Sequence, residues 1–300
     1  MSDSVAKSRG NMLPVEREGR SSARRLATTI AWTLFFVLAA NAGTIVALRH
    51  LPANLGYWLV KQKWRMLEDL DRPVDWLVLG DSSVNQGLDC RLFDEIVDGT
   101  SVNLGTTAVM TMVNDAWMLE SYIEKHGPPR GVLIVHVYQM WQESARAVGI
   151  GEIPRPWGFW NQAQPPVAIS SNDEWLVFLQ RFAPLYAKHA SIAEMLKHPL
   201  RTLRWRASVD ARGFMSCEDY LPARIESERQ AHLEFVRRSY ELSSDNRRAL
   251  ERIVELAEKH QFDVYLANSP ILNDLSKDLV FSQFFRRTHQ DIERIVGHSP

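Results

Sequence analysis

The sequence predicts an α/β domain in three layers, a parallel sheet covered by helices on both faces. One transmembrane helix precedes it, and a mostly helical insertion interrupts it. Three observations carry that expectation. The short apolar runs Trp76–Leu79, Ser101–Leu104, Gly131–Val137 and Phe262–Ala267 alternate with stretches of helical spacing, a rhythm that argues for parallel strands. The stretch Leu26–Leu48 is uncharged, bracketed by Arg25 and Arg49, and long enough to cross a bilayer core of ~30 Å. Between about residues 138 and 242 the rhythm stops, and Trp, Pro and Gly punctuate the chain instead.

Residues 1–25 read as a cytoplasmic tail. Lys7, Arg9, Arg17, Arg20, Arg24 and Arg25 against Asp3, Glu16 and Glu18 give it a balance of +3. Basic residues ahead of an apolar span place the amino terminus in the cytoplasm and everything after Arg49 on the far side. Residues 26–48 form the span, diluted by Thr28, Thr29, Thr33, Asn41 and Thr44. Ala40-Asn41-Ala42 has the small residues of a cleavage site, but the apolar run continues through Leu48, which favours an uncleaved signal anchor. Residues 49–73 are a juxtamembrane linker whose Tyr57, Trp58 and Trp64 suit the bilayer interface and a short helix.

From residue 74 to 300 the α/β domain is expected. Its first strand ends in Gly80-Asp81-Ser82-Ser83, a tight turn placing two hydroxyls and an acid at the carboxyl edge of the sheet. Ser82 should stand at that edge ahead of the next helix, with the Ser83 hydroxyl bonded to a backbone group in the helix's first turn. Asp89 caps a helix from Cys90 to Val97, closed by Asp98-Gly99. The second strand runs out through Gly105-Thr106-Thr107. A helix with Val109, Met112, Val113, Ala116, Trp117 and Ile123 on its apolar face ends at Gly127-Pro128-Pro129. After the third strand, a helical pattern from Glu174 to about Leu196 is broken at Pro184. Ser244-Asp245 opens a helix carrying Leu250, Ile253, Val254 and Ala257, and a last helix spans Leu279 to Val296.

With 300 residues, 45% of them hydrophobic, the chain has ample core, and a net charge of −1 gives no footprint for nucleic acid. No phosphate-binding Gly-Lys loop, dinucleotide fingerprint, His-Glu-x-x-His or Gly-x-Ser-x-Gly occurs, so no cofactor and no metal is expected. Cys90 and Cys217 match no metal or redox spacing; they are a disulfide of an oxidising compartment or two unrelated thiols.

Gly80-Asp81-Ser82 after the first strand, with Asn103-Leu104-Gly105 after the second, resembles the SGNH/GDSL hydrolase superfamily over roughly residues 74–300. The phrase Asn85-Gln86-Gly87-Leu88-Asp89 and the upstream anchor look most like its membrane-anchored, extracytoplasmic members, which are associated with acylation of cell-surface polymers and often accompany a membrane-bound O-acyltransferase. The resemblance implies a flavodoxin-like sheet, Ser82 as nucleophile, and an oxyanion hole from the N–H groups of Ser82 and Gly105. Gly80 and Asp81 would shape the turn. It implies a single-pass protein of the inner membrane whose periplasmic domain acts on acyl or acetyl esters of an exported polysaccharide.

The sequence also departs from that family. The block after the third strand reads His136-Val137-Tyr138-Gln139, where Gln139 stands in the place of an amide donor, and no Asp-x-x-His follows anywhere. A serine hydroxyl needs an imidazole to become a nucleophile. Three readings stand: the motif lies beyond Pro300, where a further strand is also expected; another histidine among His136, His260, His289 and His298 substitutes; or the chemistry is lost. In the last case the chain is a non-catalytic glycan-binding or assembly partner. Trp141, Trp157, Trp160 and Trp175 of the insertion are subdomain core or sugar-stacking faces. Arg201, Arg204 and Arg206 are a solvated face or a contact for anionic lipid or polymer.

Overall fold

The computed structural model describes residues 15–50, 58–200, 209–216, 224–237, 239–271 and 273–297. Two compact units divide the chain, residues 1–50 and 51–300. The first contains helix α1, Val15–His50. Its segment Arg24–Leu48 has mean hydropathy 1.9 and no buried residue, and is long and apolar enough to span a membrane. The threonines that dilute the run do not expose free hydroxyls. Thr28, Thr29, Thr33 and Thr44 each donate to the carbonyl four residues earlier, at 2.8–3.0 Å, which satisfies their polarity within the helix itself.

The second unit starts with α2, Trp58–Asp69, whose Leu59, Val60, Trp64 and Leu67 are buried. The expectation of an interfacial Trp64 is therefore corrected: its indole N–H donates to Asn114 Oδ1 at 2.9 Å inside the core. A polar indole edge is satisfied as well by a buried amide as by a headgroup, and the local sequence does not distinguish the two.

Four parallel strands follow: β1 (Trp76–Gly80), β2 (Ser101–Asn103), β3 (Gly131–His136) and β4 (Asp263–Asn268), in the order β2-β1-β3-β4. The register pairs Gly80 with Val135 and His136 with Asn268. Helices α3 (Ser82–Gly87) and α4 (Cys90–Val97) follow β1; α5 (Thr111–His126) follows β2. Caps close several ends as the sequence implies. Asp89 accepts from Arg91 N–H at 2.9 Å, and Gly127 ends α5 with φ +80°.

The insertion is mostly helical. One-turn helices at Ala147–Ile150 and Phe159–Gln162 lead to α6 (Ser171–Phe182), a single turn at Pro184–Ala187, α7 (His189–Lys197) and α8 (Arg224–Val236). The break falls at Ala183, whose φ −129° and ψ +52° are non-helical ahead of Pro184. Then come α9 (Ser244–His260) and α10 (Leu279–Val296), the latter capped by Asp278.

One face of the sheet, carrying Leu77, Leu79, Val132, Ile134, Val264 and Leu266, is covered by α5 and α9. On the other face α4 covers Trp76 through Phe93, while Tyr265 of β4 is half exposed. A second apolar cluster joins Tyr138 and Val236 to Phe281 and Phe284, tying the end of the insertion to α10.

Candidate functional site

The strand order reverses direction of growth between β1 and β3, and ligands of open α/β sheets bind outside the carboxyl ends at such a point. Gly80 makes this edge compact. Its φ is +132°, and a Cβ there would lie 1.9 Å from Val135 O, so only glycine fits between the strands. Beyond β2, Leu104 N–H donates to Val78 O and Thr106 N–H to Gly80 O, both at 2.8 Å, which carries Gly105 alongside the Gly80–Asp81 turn.

Ser82 is exposed, and its hydroxyl has no hydrogen-bond partner among the described residues. It is the first residue of α3 rather than part of a turn ahead of it. The expected tight turn is thus corrected to a helix of six residues that opens directly at Asp81. Asn103 provides the reason: its side-chain amide donates to Val84 O at 2.8 Å and Leu88 O at 3.0 Å, closing the carbonyl end of a helix too short to stand alone.

The same Asn103 accepts the Gly105 N–H at Oδ1, 3.0 Å away. Gly105 is packed so closely that a Cβ would meet Val84 Cγ1 at 2.4 Å. Its glycine identity therefore follows from close packing on α3, and its N–H is already engaged. Ser83 bonds a carboxylate, not the backbone group expected: both its N–H (2.8 Å) and its hydroxyl (2.5 Å) donate to Asp81 Oδ1.

Asp81 is fully buried and has a second set of partners. Val137 N–H donates to its Oδ2 at 2.7 Å, and His136 Nδ1 lies 3.5 Å from the same oxygen. The other ring nitrogen of His136 donates to Asp115 Oδ2. Ser83, Asp81, His136 and Asp115 form one continuous polar chain from the sheet edge into the core, with the last three buried. Burial by itself would depress the imidazole, but the Asp115 and Asp81 carboxylates outweigh it and raise His136 to about 9. Burial raises Asp115, only partly offset by His136. Asp81 is lowered: burial opposes this, but His136, Ser83 and Val137 prevail.

His136 is therefore a buried core group rather than a surface histidine: Asp115 engages its Nε2, while Nδ1 faces Asp81 Oδ2 at 3.5 Å without a hydrogen bond. His260 ends α9, His289 Nε2 accepts from Asn268 Nδ2 at 3.0 Å, and His298 lies outside the described residues. Sequence reasoning missed His232 of α8, whose Nδ1 meets Tyr138 Oη at 2.7 Å and Gln139 Nε2 at 2.6 Å. Gln139, the expected amide donor, is thus turned toward His232. Asp115 was missed as well, since a single acid in an apolar helical pattern reads as its polar face.

A third unforeseen group is Lys63 of α2. Fully buried, it donates to Asn103 O at 2.8 Å and to Gly213 O, joining α2, the end of β2 and the segment 209–216. Burial lowers its amine to about 7, with Cys90 and Asp210 acting in the opposite sense. Cys90 is a free, buried thiol; Cys217, Arg201, Arg204 and Arg206 lie outside the described residues. Among the described residues, no group of three or more His, Cys, Asp or Glu side chains could hold a metal ion.

No family model, curated protein or solved structure matches this chain.

Proposed function

We propose that the chain is a membrane-anchored, extracytoplasmic serine ester hydrolase or O-acyltransferase of SGNH type. Its substrate is an acyl or acetyl ester of a cell-surface or exported polysaccharide, and α1 holds the domain at the inner membrane beside a membrane-bound O-acyltransferase. The observation that carries this reading is Ser82: an exposed, unpartnered hydroxyl at the carboxyl end of β1, at the point where the sheet's strand order reverses. In the reaction Ser82 Oγ bonds to the ester carbonyl carbon as the C–O bond to the alcohol breaks, the serine proton passing through water to the departing alkoxide; water or a glycan hydroxyl then takes the acyl group and returns a proton to Ser82 Oγ. The Ser82 N–H is among the orphan donors of a helix start and supplies one bond to the developing oxyanion. Asp81, bonded to Ser83 and Val137, keeps the start of α3 rigid while this happens.

A second reading rests on a different observation. The Gly105 N–H is engaged by Asn103, and no described imidazole bonds to Ser82. Those two facts favour a non-catalytic glycan-binding or assembly partner that keeps the fold without the base. A fluorophosphonate probe separates the two. Under the first reading the full chain is labelled at Ser82, Ser82→Ala abolishes labelling, and Ser83→Ala retains most of it. Losing a general base lowers rates by about 10²–10⁴-fold, so labelling is followed over hours as well as minutes. A well-folded chain that never labels supports the second reading, and labelling lost only in Ser83→Ala identifies the other serine as nucleophile.

A further inference from the structure

The insertion presents an exposed aromatic face that includes Trp157 and Trp175. Trp175, Phe178 and Phe182 recur on one side of α6 and are 59%, 39% and 52% exposed. Trp175 stacks on Phe178 with ring centres 5.2 Å apart, Phe178 lies 5.0 Å from Phe182, and Trp157 joins them at 6.1 Å from Phe178.

The face is fixed rather than loosely hung. On the opposite side of α6, Val177 is buried, and the Arg181 guanidinium donates to the carbonyls of Gly151 (3.3 Å), Ile153 (2.9 Å) and Arg155 (2.8 Å). Lys188 pairs with Glu152 and holds the next turn. Nothing in this arrangement lets the helix roll its aromatic side inward, and exposed contiguous aromatics on a fixed element mark an interaction surface.

We infer that this face docks on the surface of the bilayer that α1 spans, inserting Trp157, Trp175, Phe178 and Phe182 at headgroup depth. Three features select lipid over a protein partner. Only nine residues separate Leu48 from Trp58, so the chain reaches no more than about 35 Å from the end of the span. Trp and Phe on one exposed face are a composition that the membrane–water interface favours. In the sequence directly after α7, Lys197, Arg201, Arg204 and Arg206 occur with no acid between Lys197 and Val209, a run complementary to anionic headgroups.

The test uses the full chain in nanodiscs of phosphatidylcholine and phosphatidylglycerol, with Cys217→Ser and the buried Cys90 left in place. An environment-sensitive fluorophore is attached in separate samples at Phe178→Cys, at Glu255→Cys on the exposed side of α9, and at Leu38→Cys within α1. Brominated phospholipid should quench the Phe178 label at least about twofold more than the Glu255 label. Phe178 quenching equal to that at Glu255, with strong quenching at Leu38, overturns the inference while leaving the anchor intact. Absence of quenching at Leu38 too overturns the spanning reading on which it rests. A Phe178 label that is shielded from water yet indifferent to brominated lipid overturns it in favour of a protein contact. Trp175→Ser with Trp157→Ser, assayed with the Phe178 label, should reduce its quenching to the Glu255 level.

Discussion

Replacing Lys63 with Met tests the electrostatics of the fold most directly. The amine is fully buried and held near 7, against 10.5 for an ordinary lysine, a gap equivalent to about 5 kcal/mol as an upper bound. Because the folded value lies below the unfolded one, the unfolded chain holds this proton across pH 7–10.5 while the folded chain has released it. Stability attributable to Lys63 therefore rises with pH across that window and is flat below it. Between pH 7 and pH 9 the rise amounts to about 2 kcal/mol, since the native amine is only half deprotonated at the start. Met fills the same space without a proton, so its stability lacks this slope. It also leaves Asn103 O and Gly213 O without the Lys63 Nζ donor. The assay is denaturant unfolding in detergent, followed by tryptophan emission at pH 6, 7, 8 and 9 for both proteins. Their difference cancels titrating groups that do not interact with Lys63, His136 included, and leaves Lys63 with its neighbours Cys90 and Asp210. The wild-type minus Lys63→Met stability should climb by about 2 kcal/mol from pH 7 to 9. A difference that is constant or falls with pH would refute the burial of a depressed amine at this position.

Two further predictions concern the sheet edge. His136→Gln leaves Asp81 and Asp115 buried without their cation and should destabilise by about 3–5 kcal/mol, whereas His136→Leu with Asp115→Leu should recover much of that, as unfolding midpoints will report. With its folded value raised to about 9, His136 contributes stability in full below about pH 6.5 and loses it as pH rises through 9; the slope of the wild-type minus His136→Gln difference should be negative there. Asp115, also raised, lowers stability in both proteins as pH rises from the ordinary carboxylate value. Gly80→Ala should prevent folding, because its methyl group meets Val135 O at 1.9 Å across a central strand pair; a soluble variant with wild-type near-ultraviolet circular dichroism would contradict that packing.

Much of the architecture was legible because its signals are local. Asp89, Gly127 and Asp278 end or begin helices through bonds within a few residues, and the apolar runs of β1, β3 and β4 precede abrupt breaks. The span of α1 is a matter of length and charge alone. The six residues of α3 read as a turn because Asn85 and Gly87 dominate the local pattern, while the side chain that closes the helix, Asn103, arrives from another strand. Trp64 shows the same limit: its sequence neighbours suit a bilayer interface, and only packing against Asn114 of α5 places it in the core.

The sequence by itself determined the order of elements, the uncharged span and the position of Ser82 at the end of the first strand. Only the tertiary structure decided which groups share a charge. His136, Asp81 and Asp115 are 21 to 55 residues apart and meet because α5 lies over β1, which pairs with β3; Lys63 reaches Asn103 from α2, which packs on α5. Helical and strand periodicity tell which side of an element is apolar. They do not tell which buried polar atoms face one another, since that depends on register between elements, which the packing of the whole core sets.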